Sequence, residues 1–182
     1  MENTPVRTAK SLFKHIKRVL QVYDRAGFTI RYVMMDGEFE KVKELLPTIV
    51  WNTTSAKEHV AEAEIKIRVI KEQNIVVVNT LPFTYIQRKM KIEFIYFVIL
   101  WINSFLVKSG VSETFSPMEI LLYWRTDAKE NCRVLPGSYC ELHDDPNPYN
   151  TTVSRTHEGI SLGPTVNLQG SVKFYCLTQV EY

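Results

Sequence analysis

The sequence predicts an α/β domain followed by a small β-rich appendage, and three observations point there. Between residues 8 and 127, segments with apolar residues at helical spacing alternate with short runs of β-branched and aromatic residues. From Val134 onward the texture changes, and Pro, Gly, Asn and Thr punctuate short strands. Of the 182 residues, 45% are apolar and 23% charged, which is enough to build a core and too apolar for a disordered chain. The expected division is a core over 8–127 and an appendage over 128–182.

The elements follow in order. Phe13, Ile16, Leu20 and Tyr23 recur at helical spacing and predict a helix over 8–25. Arg7, Lys10, Lys14, Lys17 and Arg18 fall mostly on its other side, and Gly27 ends it. Residues 28–35, rich in β-branched and aromatic side chains, predict a strand. A short helix over 38–46 stops before Pro47, and the run TIVWNTT over 48–54 predicts a second strand. Ser55 is a fitting N-cap for a helix over 56–73. Its spacing puts Val60, Ala63, Ile67 and Ile70 on one buried stripe, with Glu58, Glu62 and Lys66 opposite. Leu81-Pro82 opens a helix over 82–107 that is apolar almost all round. Ser116-Pro117 caps a short helix over 117–124, and strands are expected near 136–142, 152–162 and 171–178. Trp51, Trp101 and Trp124 are expected in the core.

Several classes are set aside by composition. The nine apolar residues over 94–102 fall short of the roughly 20 that span a membrane, and Lys91, Glu93, Asn103 and Lys108 bracket them. The opening MENTPVRTAK has no apolar signal region, so an intracellular chain, in nucleus or cytoplasm, is the expectation. In that setting the sequons at Asn52 and Asn150 carry no meaning. Cys132, Cys140 and Cys176 are odd in number and form no CxxC pair, so they are expected as free thiols. His15, His59, His143 and His157 have no ligand spacing. The net charge is only +2, but residues 1–35 hold seven Lys/Arg against two acids, and residues 127–182 four against seven.

Two carboxylates have suggestive places. Asp36 follows the first strand, in Met35-Asp36-Gly37-Glu38-Phe39, and Glu62 opens a helix, in His59-Val60-Ala61-Glu62. Hard divalent cations take carboxylate oxygens, and a metal pair serves phosphoryl transfer. An Asp after a strand also serves as a turn residue, and a Glu in a first helical turn suits the macrodipole. From spacing alone both readings stand.

The order of motifs resembles the integrase catalytic core of copia-type LTR retrotransposon polyproteins, an RNase H-like domain of the DDE transferase class. Asp36-Gly37-Glu38-Phe39 resembles that family's Asp-x-Gly-x-Glu-Phe, and Glu58-His59-Val60-Ala61-Glu62-Ala63 resembles its Asn-Gly-Val-Ala-Glu-Arg. Basic residues Lys66, Arg68 and Lys71, then Leu81-Pro82, the apolar stretch over 90–107 and Ser116-Pro117-Met118-Glu119 follow in the family's order. So do Pro136-Gly137-Ser138-Tyr139-Cys140, Ser154-Arg155-Thr156 and Gly159-Ile160-Ser161-Leu162-Gly163. The similarity covers about residues 8–178.

The resemblance implies an incomplete RNase H-like core, truncated at its N-terminus. It implies Asp36 and Glu62 as catalytic carboxylates and ligands of Mg²⁺ (or Mn²⁺), and DNA, both element ends and target, as partner. It implies Lys57, Lys66 and Lys71 as DNA contacts, with the basic face of the first helix as a second candidate. Three departures qualify this. The family's first Asp has no counterpart, since Glu2 and Asp24 alone precede Asp36 among the acids. The spacing from Asp36 to Glu62 is about ten residues shorter than the family's, with His59 in place of its Gly. Ala63 replaces the basic residue after the Glu. The expectation is therefore a fragment, inactive in strand transfer by itself, with an open edge on its first strand. A homo-oligomer or the remainder of the polyprotein would supply the missing strands. The rival expectations are a non-enzymatic DNA-binding or protein-interaction module, and an unrelated α/β fold.

Overall fold

Thr8 starts the first helix by accepting the Ser11 N–H on its side-chain oxygen at 3.2 Å, so one of the unpaired donors of the first turn is satisfied. The computed structural model that shows this describes residues 8–47, 49–53, 61–106, 108, 110–143, 155–165, 167 and 169–177. The chain is mixed α and β, with two small sheets among the described residues. Contacts divide it into two units, Met1–Val69 with Asn103–Arg125 and Ile70–Ile102 with Thr126–Tyr182. The sequence had suggested a division at 127/128.

In the first unit, α1 (Ala9–Arg25) turns Leu12, Phe13, Ile16 and Leu20 onto a core of Ile16, Val42, Ile49 and Trp51. Its C-terminus closes as a Schellman motif: the Phe28 N–H donates to Tyr23 O and the Gly27 N–H to Asp24 O, both at 2.9 Å. Gly27 takes φ +81° there, a conformation open to glycine. Tyr23 and Phe28 meet edge to face across the closure. Because Phe28 serves this stop, the strand begins later than the sequence suggested, as β1 (Tyr32–Met35). A 3-10 turn (Gly37–Phe39) and α2 (Glu40–Lys43) then place Val42, fully buried, on the same core.

The next strand, β2 (Val50–Thr53), pairs with β1 in parallel, Tyr32 beside Val50 through Met35 beside Thr53. Val33, Met35 and Trp51 face the core, and Trp51 Nε1 donates to Leu46 O at 3.1 Å. Among the described residues β1 pairs with no second neighbour. Tyr32, Met34 and Val50, on the opposite face, are exposed. The later segment α5 (Pro117–Leu122) opens with a reciprocal capping box between Ser116 and Glu119. It ends at Tyr123, in the left-handed region at φ 53°, whose hydroxyl donates to Ala26 O at 3.3 Å.

In the second unit, α4 (Arg88–Ser104) contributes Met90 and Phe94 to a core completed by Ile86 and Leu162. The antiparallel sheet β3 (Tyr139–His143), β4 (Thr156–Pro164) and β5 (Val172–Cys176) packs Ile160, Leu162 and Tyr175 against it. Lys173 Nζ pairs with Glu93 Oε2 at 2.9 Å, and the Tyr175 hydroxyl donates to Gln87 Oε1. One four-residue helix, α6 (Ala128–Asn131), capped by Asp127, was not foreseen. Cys140 and Cys176 lie on either side of Gly159 in one row of the sheet, two strand spacings apart and too far for a disulfide. All three cysteines are free thiols.

Four expectations need correction. The helix foreseen over 56–73 is α3 (Ala61–Asn79), which continues to Asn79. It buries no residue: Ala63 and Ile67 are exposed and Ile70 is only partly covered. Its far end, Val77 and Val78, rests on the second core instead. Val60 and the Ser55 cap lie outside the described residues. The helix foreseen over 82–107 is shorter, 88–104, and Trp101 is 43% exposed rather than buried.

Candidate functional site: the carboxyl ends of the parallel strands

In a parallel sheet every strand ends on the same side, and ligands of α/β folds sit outside those carboxyl ends. Here Met35 and Thr53 are the paired last residues of β1 and β2. Asp36 is the next residue, exposed, and its backbone is still extended at φ −68°, ψ 155°. One carboxylate oxygen, Oδ1, accepts the Gly37 N–H at 2.7 Å and so caps the 3-10 turn. The turn-residue reading of Asp36 thus describes part of what its carboxylate does.

Glu62 is the second residue of α3, at the positive end of the helix dipole, and its side chain is exposed. Lys66 lies four residues on and shares its side of the helix; both are exposed. Lys71 is exposed too, but five further residues turn it about 140° from Lys66. The two lysines therefore do not line one straight row. Lys57, with His59 and Glu58, lies outside the described residues.

A two-metal centre needs a cluster of acidic or imidazole ligands. Among the described residues no group of three or more His, Cys, Asp or Glu side chains could hold a metal ion. Neither Asp36 nor Glu62 belongs to such a group among the described residues.

Elsewhere among the described residues, three groups titrate away from their ordinary values. The Glu119 carboxyl is lowered, first by the Ser116 backbone N–H it accepts, then by its bond with the Ser116 side chain and the Arg125 charge. Burial, then Asp127, pushes the Cys132 thiol up, which makes it a poor nucleophile. Burial and the neighbouring Glu158 raise the Tyr139 hydroxyl. None of these lies on β1, β2 or α3. The αL residue Tyr123, which ties α5 to the end of α1, gave no sequence signal, because nothing local marks a tyrosine for that conformation.

Among the described residues no helix is long and apolar enough to cross a membrane. No family model, no curated protein and no solved structure matches this chain.

Proposed function

We propose that this chain derives from the integrase core of a copia-type retrotransposon, binds duplex DNA, and does not carry out strand transfer by itself. The observation that carries the reading is the place of Asp36. It stands at the carboxyl end of β1 in a parallel pair, beside the end of β2, and the next described element after β2 is the helix that bears Glu62. An RNase H-like core would present its second and third carboxylates from those two elements in that order. The inactive half of the reading rests on the sequence, in which only Glu2 and Asp24 precede Asp36 among the acids and the family's first Asp has no counterpart.

The direct experiment measures binding of a labelled duplex, matching a retroelement end, by fluorescence anisotropy at 50–200 mM salt. Affinity that falls steeply with salt is the expected result. Absence of binding at the lowest salt overturns the DNA reading. A second reading, a protein-interaction module, is favoured by the exposed face of Tyr32, Met34 and Val50 on a sheet in which, among the described residues, each strand has one neighbour. It predicts a concentration-dependent mass in sedimentation without any effect of DNA.

A further inference from the structure

If the chain binds DNA, the sequence resemblance directs attention to α3, but the charges lie elsewhere. Helix α3 carries Lys66, Arg68 and Lys71 against Glu62, Glu64 and Glu72, three cations to three acids. Helix α1 carries Lys10, Lys14, Lys17, Arg18 and Arg25 against Asp24 alone, five cations to one. A phosphate backbone is drawn to α1 and not to α3.

The arrangement on α1 is also ordered. At 100° per residue, Lys10, Lys14, Lys17, Arg18 and Arg25 fall within an arc of about 100°, and all five are exposed. Lys10, Lys14 and Lys17 follow at i, i+4 and i+7, a row about 10 Å long. Among the described residues no ion pair engages these three lysines. The row is held outward because the opposite side is committed: Leu12, Phe13, Ile16 and Leu20 pack on Val42, Ile49 and Trp51.

That commitment selects the partner. A basic amphipathic helix that binds a membrane surface inserts its apolar side into the headgroup layer. The apolar side of α1 is occupied by the protein core, so insertion would require unfolding the first unit. Single-stranded nucleic acid asks for exposed aromatic platforms beside the cations. The aromatics of α1 are Phe13, in the core, and Tyr23, against Phe28. A rigid row of cations without stacking groups suits the regular phosphates of a duplex.

We infer that α1 is the docking surface for duplex DNA, with Lys10, Lys14 and Lys17 contacting the phosphate backbone and no base being read. The inference rests on the DNA reading above and moves its contact surface from α3 to α1. The test compares the full chain with two double variants, Lys14→Gln/Lys17→Gln on α1 and Lys66→Gln/Lys71→Gln on α3. Lys and Gln have similar helix propensity, and circular dichroism confirms folding. Each phosphate contact contributes about 0.9 to the slope of log affinity against log salt. The α1 variant should lose about 2 from that slope and bind about 20-fold or more weakly at 100 mM salt. The α3 variant should stay within about two-fold of the parent, because it removes cations from a helix whose acids balance them.

Duplex RNA should bind within a few-fold of duplex DNA, and single strands or phosphatidylserine vesicles more weakly. Failure of the parent chain to bind any duplex defeats the DNA reading itself. Binding that survives the α1 substitutions with its slope unchanged, or that is tighter for single strands or vesicles, overturns the docking surface alone.

Discussion

Replacing Val42 by Ala tests the packing that holds both α1 and the Asp36 turn in place. Val42 is completely buried between α1 and the two parallel strands, in contact with the cluster that contains Ile16 and Trp51. Losing two methyl groups from a buried site costs about 1.6 kcal/mol in transfer free energy. The cavity left behind adds about 1 kcal/mol where neighbours relax only partly. Val19→Ala is the matched control: the same change, also in a helix, at a side chain 54% exposed. Both substitutions gain the same helix propensity, so their difference isolates burial. Val19 is half covered and gives up about 0.7 kcal/mol of transfer free energy itself, so urea unfolding followed by tryptophan fluorescence should show Val42→Ala about 2 kcal/mol less stable than Val19→Ala. That is a large part of the 5–15 kcal/mol typical of a folded domain. A difference below about 1 kcal/mol would refute the placement of α2 beneath α1, and with it the reason the lysine row faces outward.

Two further outcomes test local features. The Glu119 carboxyl is lowered from its ordinary value of about 4.5 by the capping box and Arg125, so it binds its proton less readily in the folded chain than in the unfolded one. Its contribution is therefore fully present above about pH 4.5 and fades as pH falls through the lower folded value. Glu119→Gln, which keeps the box geometry, should remove that part of the acid sensitivity in thermal unfolding between pH 6 and 3; an unchanged pH profile contradicts the assignment. Gly137 and Gly27 both have φ near +80°, but a Cβ on Gly137 would overlap Leu81 Cδ2, whereas one on Gly27 meets nothing within 4 Å. Gly27→Ala should cost about 1 kcal/mol from backbone conformation alone and Gly137→Ala clearly more. Equal losses in denaturant unfolding would contradict the close approach of Leu81.

Much of the local structure could be read from the residues. Helix α1 announced itself through Phe13, Ile16 and Leu20 and through the glycine that stops it, and Ser116-Pro117 marked the start of α5. These are signals within one or two turns of chain. The reading weakened where the outcome depended on distant partners. Periodicity showed that Ala63, Ile67 and Ile70 share a side of α3, but not whether anything covers that side, and nothing described does so fully. Trp101 looked like a core residue because it lies within an apolar run, yet it is half exposed. The first strand lost its opening residues to the helix stop, since Phe28 closes the Schellman motif. At the candidate site, sequence order placed Asp36 after a strand and Glu62 at a helix start. The parallel pairing that gives Asp36 its place came only from the fold. The opposed directions of Lys66 and Lys71 were already fixed by their spacing of five, a simple helical argument that the family resemblance had overshadowed.

The most direct measurement of the central claim is a joining assay. The intact chain is incubated with Mg²⁺ or Mn²⁺ and a labelled duplex that mimics a retroelement end, and both retained duplex and covalently joined product are scored. The account predicts duplex retained in a salt-sensitive complex and no joined DNA. Joined product that disappears on Glu62→Gln would contradict it.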